Sequence, residues 1–339
     1  QIYRVSSVRN FENQVTKFGY GPLPLKRIVD QNLKDVNKSS RFHFSYSNFK
    51  RDDDLFESNL GYVDPEFFDM FSFEFIDGDP KALKDVTSVF INDKMAIRLF
   101  GSPTDAVGKT ITQVYGVQLK ELKIAGVFKE APQNSSFYNR EAFMNFENCK
   151  DEHSGVGDEK WTQQTTLFLQ IKDPSRVSAV HQQLQAYVEN NNKVREDFII
   201  QEFALDHLPA MARTDQANEV QSWTWNSPPP SAIIGSATMG ILILLIACFN
   251  LTNTAIAISS RRLKEIGIRK VMGSLRKQLV IQFIGETTLI CFFSLLVGLV
   301  IAEFLTEGWN SMWEYMRITP HYFDNPPFLI FLGCVLLCT

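Results

Sequence analysis

The sequence has few cysteines and no excess of positive charge. Its five cysteines among 339 residues are too few for a disulfide framework. Four of them lie in long apolar runs, and only Cys149 lies in the polar part, which is compatible with an oxidising compartment. Lys and Arg number 34 against 38 Asp and Glu, a formal net charge of −4. Because affinity for phosphate backbones depends on clustered basic side chains, this balance argues against nucleic-acid binding.

Motifs for catalysis and cofactor binding are also missing. Gly101–Thr110 imitates a phosphate-binding loop, but six residues instead of four separate its glycines, so we predict a surface turn. Ser274–Lys277 has Ser-x-x-Lys spacing without companion motifs, and Ser274 is better explained as a helix N-cap. The five histidines show no metal-ligand spacing. Asp52–Asp54 is predicted to be a solvated turn, with a cation site as the alternative. We therefore predict no enzyme, no cofactor and no metal in this chain.

Ionisable residues are nearly absent from two long segments. Residues 231–260 contain none in thirty, which exceeds the roughly 20 residues that a helix needs to cross a membrane. A second run, from about 278 to 302, contains one charge, Glu286, and is apolar on every helical face over Phe292–Ile301, unlike a soluble core hairpin. We predict transmembrane helices at about 231–258 and 278–304, and the start of a third from about 327.

Charge in the connecting segments predicts the orientation. Between the first two runs lie seven basic residues and one acid, Glu265, and short loops rich in Lys and Arg stay in the cytoplasm. The segment of about 305–326 has Arg317 against three acids and belongs outside. Residues 1–230, with 26 basic and 32 acidic side chains, are then also outside. The charges therefore predict a membrane protein with residues 1–230 on the outer side.

The polar part mixes two kinds of pattern. Leu122–Phe128 and Thr165–Ile171 read as strands, whereas Lys94–Phe100 and Val177–Val188 read as helices. The fold class predicted is an α+β extracytoplasmic domain over residues 1–226, in one or two lobes, joined to an all-α transmembrane helix domain over residues 227–339.

The basic segment between the first two runs has helical periodicity. Arg261, Glu265 and Arg269 fall at i, i+4 and i+8, which places one charged stripe on a helix of about 259–273. Gly273 suits its C-cap. A short amphipathic helix held under the membrane can dock on a cytosolic protein and transmit its motion. The alternative is a loop that only sets topology and contacts lipid headgroups.

Residues 248–287 resemble the permease domain shared by macrolide exporters, lipoprotein-release permeases and cell-division permeases. The resemblance is carried by Arg262-Leu-Lys-Glu-Ile-Gly-Ile-Arg-Lys-Val-Met-Gly273, the loop that joins the second and third membrane helices in that family. Ala96–Gly101, Ala106–Ile111 and Ile124–Ser136 are similar to the periplasmic core domain of the same family. The sequence of these segments most resembles that of the long two-module permeases of Bacteroidetes-like bacteria.

The resemblance implies the permease subunit of an ABC transporter in a bacterial inner membrane, with residues 1–230 in the periplasm. ATP and Mg would bind a separate cytosolic ATPase, whose movement passes to the periplasm by mechanotransmission. The family's first membrane helix would lie upstream of Gln1, and two permease modules or chains would pair, with a periplasmic or outer-membrane partner. The implied ATPase contacts are Arg261, Arg262, Glu265, Ile266, Gly267, Arg269, Lys270 and Gly273.

Three functions follow from these expectations. The first is export or extraction of an amphipathic peptide, drug or lipoprotein. The second is a permease-like regulator that transports nothing and controls a periplasmic partner such as a cell-wall hydrolase. The third is a membrane-anchored receptor domain without an ATPase.

Glu286 is the other candidate residue. It lies 12 residues past Ser274, roughly 18 Å along a continuous helix at 1.5 Å per residue. Ionisable groups at membrane depth face protein or a water-filled cavity, and Asn250 and Asn253 on the preceding helix are the expected partners. A structural hydrogen bond between helices is favoured, with a mechanistic role as the alternative.

Overall fold

The computed structural model describes residues 1–11, 14–51, 54–115, 118–132, 135–152, 157–211, 219–221, 230–312, 318 and 326–338. The chain separates into two compact units, Gln1–Ile234 and Gly235–Thr339. The first contains strands and short helices, and the described residues of the second are helices with short connections. This confirms the predicted α+β domain joined to a helical domain.

Thirteen strands lie within the described part of the N-terminal unit. They are β1 (Ile2–Phe11), β2 (Gln14–Phe18), β3 (Gly21–Pro22), β4 (Val36–Arg51), β5 (Asp54–Val63), β6 (Phe75–Gly78), β7 (Ser88–Asn92), β8 (Thr110–Tyr115), β9 (Gln118–Phe128), β10 (Ala142–Asn145), β11 (Gln164–Ile171), β12 (Glu202–His207) and β13 (Glu219–Gln221). Its helices are α1 (Pro24–Asn32), α2 (Phe67–Met70), α3 (Asp93–Phe100), α4 (Glu147–Glu152), α5 (Val177–Gln185), α6 (Val188–Val194) and α7 (Leu208–Met211). Pro80–Lys84 and Pro174–Arg176 form short 3-10 helices.

The strands join one sheet in the order β13-β2-β1-β11-β4-β5-β10-β7-β9-β6. Most neighbours are antiparallel, but β10 pairs with β5, β7 with β9 and β13 with β2 in parallel. Strand β4 connects the two halves of the sheet because it pairs with β11, β5 and β8. Towards its end Ser47 and Phe49 are buried while Tyr46, Asn48 and Lys50 are exposed, which is the alternation of a sheet covered on one face.

Three of the four elements predicted in this domain are confirmed. Leu122–Phe128 lies in β9, Thr165–Ile171 lies in β11, and Lys94–Phe100 lies in α3. The Asn92 side chain caps α3 by accepting a 2.8 Å hydrogen bond from the Met95 amide. The fourth, Val177–Val188, is divided between α5 and α6, because Ala186 and Tyr187 separate them. The break allows the Asn192 side chain on α6 to pair with both backbone groups of Ile200.

Phenylalanine dominates one cluster of the core. Phe67 on α2 lies at the centre, with its ring centroid 4.9 Å from Phe137 and 5.2 Å from Phe143. Many of the ring pairs meet edge to face, the arrangement that the aromatic quadrupole favours. Gly61 on β5 leaves room for these rings: a Cβ there would lie 2.8 Å from Phe143 and 2.9 Å from Phe42.

A buried arginine joins distant parts of the same domain. The Arg41 guanidinium on β4 makes hydrogen bonds to both carboxylate oxygens of Asp64, the shortest 2.6 Å long, and a further 2.6 Å bond to Asp158. Its carbon lies 3.8 Å from the ring centre of Phe146, which adds a cation–π contact. A buried charge is tolerated when it is paired in this way. Arg41 therefore holds the segment around Asp158 against the sheet.

Asp158 and Cys149 both lie beside this arginine. Burial opposes ionisation of Asp158, but the hydrogen bond from Lys150 and the charge of Arg41 together hold its pKa below the usual value. Burial raises the pKa of the Cys149 thiol to about 12, although Arg41 and Lys150 oppose the change. Cys149 is therefore a protonated, inert core thiol at neutral pH.

The second unit contains four described helices. They are α8 (Pro230–Arg261), α9 (Leu263–Val271), α10 (Arg276–Met312) and α11 (Pro326–Cys338). Two segments, Ser231–Ile258 and Arg276–Met312, are long and apolar enough to cross a membrane. The start of α11 at two consecutive prolines follows from the fixed φ of proline, which suits the first helical turn.

The helix ends differ from the expected limits. Helix α10 begins two residues before 278 and continues past 304 to Met312, into the segment that we predicted to be an outer loop. Its last turns contain Glu303 and Glu307, which are polar yet form helix readily, so the helix does not end where the apolar run ends. Residues 259–261, expected in the coupling helix, belong to α8.

We predict that Gly61→Ala destabilises the N-terminal domain by about 1–3 kcal/mol, because the new Cβ overpacks the rings of Phe143 and Phe42. Urea unfolding of residues 1–221 produced alone measures the effect. Gly157→Ala is the matched control, since its Cβ would meet only the flexible Lys160 side chain, at 3.8 Å. Equal stability of the two variants would contradict this view of the core.

A second prediction concerns pH. The folded domain lowers the pKa of Asp158, so the stability that its carboxylate contributes is present above the ordinary Asp pKa of about 3.9 and is lost as pH falls through the folded value. Asp158→Asn should therefore lower stability at pH 7 and make the decline below about pH 4 shallower. Unfolding measured from pH 7 to 3 tests this, with Asp105→Asn, an exposed residue in none of the described ion pairs, as control.

Candidate functional site: the segment between the two apolar helices

Charge placement favours the helix α9. Arg262 interrupts the helical path after α8, with φ −91° and ψ 2°, and α9 follows at once. Glu265 stands in the first turn of α9, whereas Arg269 and Lys270 stand in the last, as the helix dipole favours. The Arg269 guanidinium also donates a 2.6 Å hydrogen bond to the Glu265 carboxylate one turn earlier. Local electrostatics thus support a helix here.

Gly273 ends this helix in the left-handed conformation. Its φ is +96°, which a residue without Cβ adopts at little cost. Its amide donates to the Lys270 carbonyl over 3.2 Å, and the Ser274 amide donates to the Arg269 carbonyl over 3.0 Å. These two bonds form a Schellman motif, so the predicted C-cap role of Gly273 is confirmed.

The next helix begins one residue later than expected. Leu275, not Ser274, immediately precedes α10, and its carbonyl accepts the first helical bonds from the amides of Gln278 and Leu279. The Gln278 side chain reaches back to accept a 3.1 Å hydrogen bond from the Leu275 amide. This is the second half of a capping box, in which a Gln at the third helical position protects the cap amide. The predicted N-cap at Ser274 is therefore wrong.

Glu286 on α10 pairs with Arg262. A 2.8 Å hydrogen bond joins the guanidinium to one carboxylate oxygen, and the other oxygen accepts a 3.1 Å bond from the Gln282 amide. The expected partners were Asn250 and Asn253, but both are exposed on α8, and neither makes a described bond to Glu286. Arg262 is the partner instead of the asparagines, because the charged pair is the stronger interaction and the arginine side chain is long enough to reach from the helix end.

Gln282 was missed by sequence reasoning. It lies one turn before Glu286 on α10, and its oxygen accepts a 2.9 Å hydrogen bond from Arg269. The i, i+4 spacing from Glu286 was the available signal. The outcome is one connected set of side chains, called here the α9–α10 network, whose members are Arg262, Glu265, Arg269, Gln282 and Glu286.

The rest of α9 faces outward. Val271 and Met272 are 90% and 80% exposed, and Leu263 and Ile268 are also exposed. Lys270 is exposed beside them and makes none of the described ion pairs. Several exposed apolar side chains on one short helix are typical of a surface that binds another molecule.

The eight predicted coupling residues thus divide into groups. Arg262, Glu265 and Arg269 belong to the α9–α10 network, and Gly273 forms the turn. Half-buried Ile266, exposed Gly267 and exposed Lys270 lie outside the network. The Arg261 side chain lies outside the described residues.

The segment that imitates a phosphate-binding loop connects two elements of the N-terminal unit. Gly101–Thr110 forms the turn between α3 and β8, with Gly101 as the left-handed cap of α3. Among the residues that the structure describes, no group of three or more His, Cys, Asp or Glu side chains could hold a metal ion.

Comparison with known families agrees with this division of the chain. Residues 1–187 match the model of the MacB-like periplasmic core domain, and residues 237–339 match that of the FtsX-like permease C-terminal domain. A periplasmic core followed by a permease region defines an ABC-type permease. The chain belongs to the family of permeases that carry a MacB-like periplasmic core domain.

Relatives with curated descriptions are distant. The macrolide export ATP-binding/permease protein MacB of Shewanella oneidensis is 22% identical over 72% of this chain and 35% of its own length. The protein of the same name from Neisseria gonorrhoeae is 22% identical over 77% of this chain and 37% of its own length. The chain therefore spans little more than a third of these relatives.

The crystal structure of the periplasmic region of MacB from Actinobacillus actinomycetemcomitans is similar to this chain with 10% identity and a TM-score of 0.42. The similarity covers 60% of this chain and 87% of that one.

We predict that Gly273→Ala loosens the turn, because a left-handed φ costs alanine about 1–2 kcal/mol, a factor of roughly 5–30 in a local opening equilibrium. Hydrogen exchange of the amides of residues 272–275, in the full-length protein in nanodiscs, should accelerate by that factor. Gly267→Ala is the control: its Cβ would meet nothing within 4 Å, and alanine favours a helix interior by about 1 kcal/mol. Equal acceleration in both variants would contradict the cap role.

Proposed function

We propose that this chain is the permease subunit of an ABC transporter whose ATPase docks on α9 and drives the periplasmic core domain. The observation that carries the proposal is the short α9, with exposed apolar side chains and a free lysine, placed between two long apolar helices in a chain of this family. Mechanotransmission is the mechanism that suits this layout. The ATPase would apply force at α9, and the periplasmic core domain, which precedes α8 in the sequence, would respond to it.

The ATPase is proposed to be a separate cytosolic protein that binds ATP and Mg. The chemistry of α9 suits such a partner: Leu263, Val271 and Met272 offer apolar anchors, and Lys270 a charged rim. Interfaces commonly combine apolar anchors with a polar rim.

The proposed location is the bacterial inner membrane. Helices α8 and α10 cross the bilayer, α9 lies on the cytoplasmic side, and the periplasmic core lies outside. The seven Lys and Arg between residues 261 and 277 support this orientation, because basic residues in short loops are retained in the cytoplasm. Two such permease units, as modules or as chains, would complete the transporter.

The proposed cargo is an amphipathic peptide, drug or lipoprotein. The relatives' names state macrolide export, and a macrolide is itself a large molecule with apolar and polar faces. In mechanotransmission the cargo is moved by the periplasmic domain and need not pass between the membrane helices. A periplasmic or outer-membrane partner would then receive it.

Purification of the full-length protein in mild detergent, followed by mass spectrometry, should recover a cytosolic ATPase. Lys270→Glu combined with Val271→Asp should reduce the recovered ATPase at least about tenfold, since loss of interface anchors costs 2 kcal/mol or more. Neither residue belongs to the α9–α10 network. Lys160→Glu, an exposed reversal in the periplasmic core, is the control. Unchanged recovery from the double variant would rule out α9 as the docking site.

A further inference from the structure

We propose that Glu286 is a positioning residue that fastens α9 to α10, so that a displacement of α9 carries the adjoining turns of α10 with it. The inference rests on the proposed function, in which α9 receives the movement of the ATPase. It assigns the path of that movement to one of the two flanking helices and to named side chains.

Helix α9 is attached to α10 at both of its ends. Arg262, directly before α9, bonds Glu286 over 2.8 Å, and Arg269, in its last turn, bonds Gln282 over 2.9 Å. A single contact would leave α9 free to pivot about it. Two contacts separated by the length of the helix prevent that rotation, so α9 and the first turns of α10 move as one body.

One carboxylate organises both attachments. One oxygen of Glu286 accepts from Arg262, and the other accepts from the Gln282 amide nitrogen over 3.1 Å. That second bond orients Gln282 so that its oxygen points to Arg269. A carboxylate offers two acceptor oxygens, whereas a glutamine amide offers one. In the present geometry Arg262 and Gln282 bond different oxygens, so Glu286→Gln keeps only one of the two bonds, because its amide nitrogen cannot accept the other.

The connections of α9 are asymmetric. Towards α10 it has the two side-chain attachments and the tight turn made by Gly273 and the Leu275–Gln278 bond. Towards α8 the connection is made by the backbone: the Arg262 amide donates to the Ile258 carbonyl over 3.2 Å, and the Arg262 carbonyl accepts from the Ile266 amide over 3.0 Å. The described side-chain hydrogen bonds of Thr252, Thr254 and Ser260 go to carbonyls of α8 itself. Force applied to α9 is therefore passed to α10 through side chains as well as through the backbone.

The pairing of Glu286 with Arg262 is important because Glu286 lies far from the start of α10. Ten residues separate it from the start of α10, roughly 15 Å along the helix axis. A carboxylate within an apolar helix needs a partner, because an unpaired charge at that depth is costly. Arg262 is the cation that the structure supplies.

The test uses the full-length protein in nanodiscs with the ATPase that co-purifies with it, and compares hydrogen exchange with and without MgATP. In the unmodified complex, exchange in both α9 and residues 276–288 should respond to MgATP. In Glu286→Gln the bound ATPase, its KM for ATP and the response of α9 should persist, while the response of residues 276–288 falls at least about fivefold. The exchanged pair, Arg262→Glu with Glu286→Arg, should restore at least half of it.

Glu303→Gln, the same change on the same helix at a residue in none of the described ion pairs, should leave every readout unchanged. A full response of residues 276–288 in Glu286→Gln, or an exchanged pair no better than its single variants, would overturn the inference. Gln282→Ala, which removes the Arg269 attachment without leaving an acid unpaired, replaces Glu286→Gln if that variant does not accumulate.

Failure of the proposed function has a different signature. The unmodified protein would then show no co-purifying ATPase and no response of α9 to MgATP. The fastening is still decided by exchange in residues 263–271 without nucleotide, which should be at least about tenfold faster in Glu286→Gln than in Glu303→Gln. Equal rates in these two variants would overturn the fastening itself.

Discussion

A carboxylate within an apolar helix needs a cation as its partner, and this need determines how the helices of the second unit are connected. Glu286 pairs with Arg262, which stands where α8 gives way to α9, so the need of one side chain determines how the intervening helix is held. Gln282 extends the pairing to Arg269. Side chains of the apolar helix α10 thereby hold α9, which precedes it, in place.

The periplasmic core domain uses the same physical rule in a different setting. Arg41 is buried under a mixed sheet and is neutralised by Asp64 and Asp158, with the Phe146 ring beneath it. There the arginine joins segments more than a hundred residues apart in sequence and stiffens the domain. Such stiffness suits the proposed mechanotransmission, because a domain that yields internally would absorb an applied displacement. In both units, therefore, an arginine links elements whose relative positions hydrophobic packing alone does not fix.

Predictions that depend on neighbouring residues were accurate. The helix character of α9, its end at Gly273 and the strand at Leu122–Phe128 follow from spacing, charge order and alternation, each of which acts within a few residues. The errors arose where one rule met a competing interaction. Ser274 is a good cap residue, yet the turn after Gly273 places Leu275 at the cap, and the apolar run after 177 is broken between α5 and α6.

Composition and periodicity alone were sufficient for the fold class, the two apolar helices and the basic segment between them, whereas the resemblance to ABC permeases came from the motif at residues 262–273. They are sufficient because helix period, membrane length and loop charge are properties of contiguous residues. Composition and periodicity could not predict the partners of Glu286 and Arg41 or the function of Gln282. These depend on which side chains meet across 13 to more than 100 residues, and many polar residues in the sequence are equally able to form such bonds. Only the packing of one helix or strand against another selects among them.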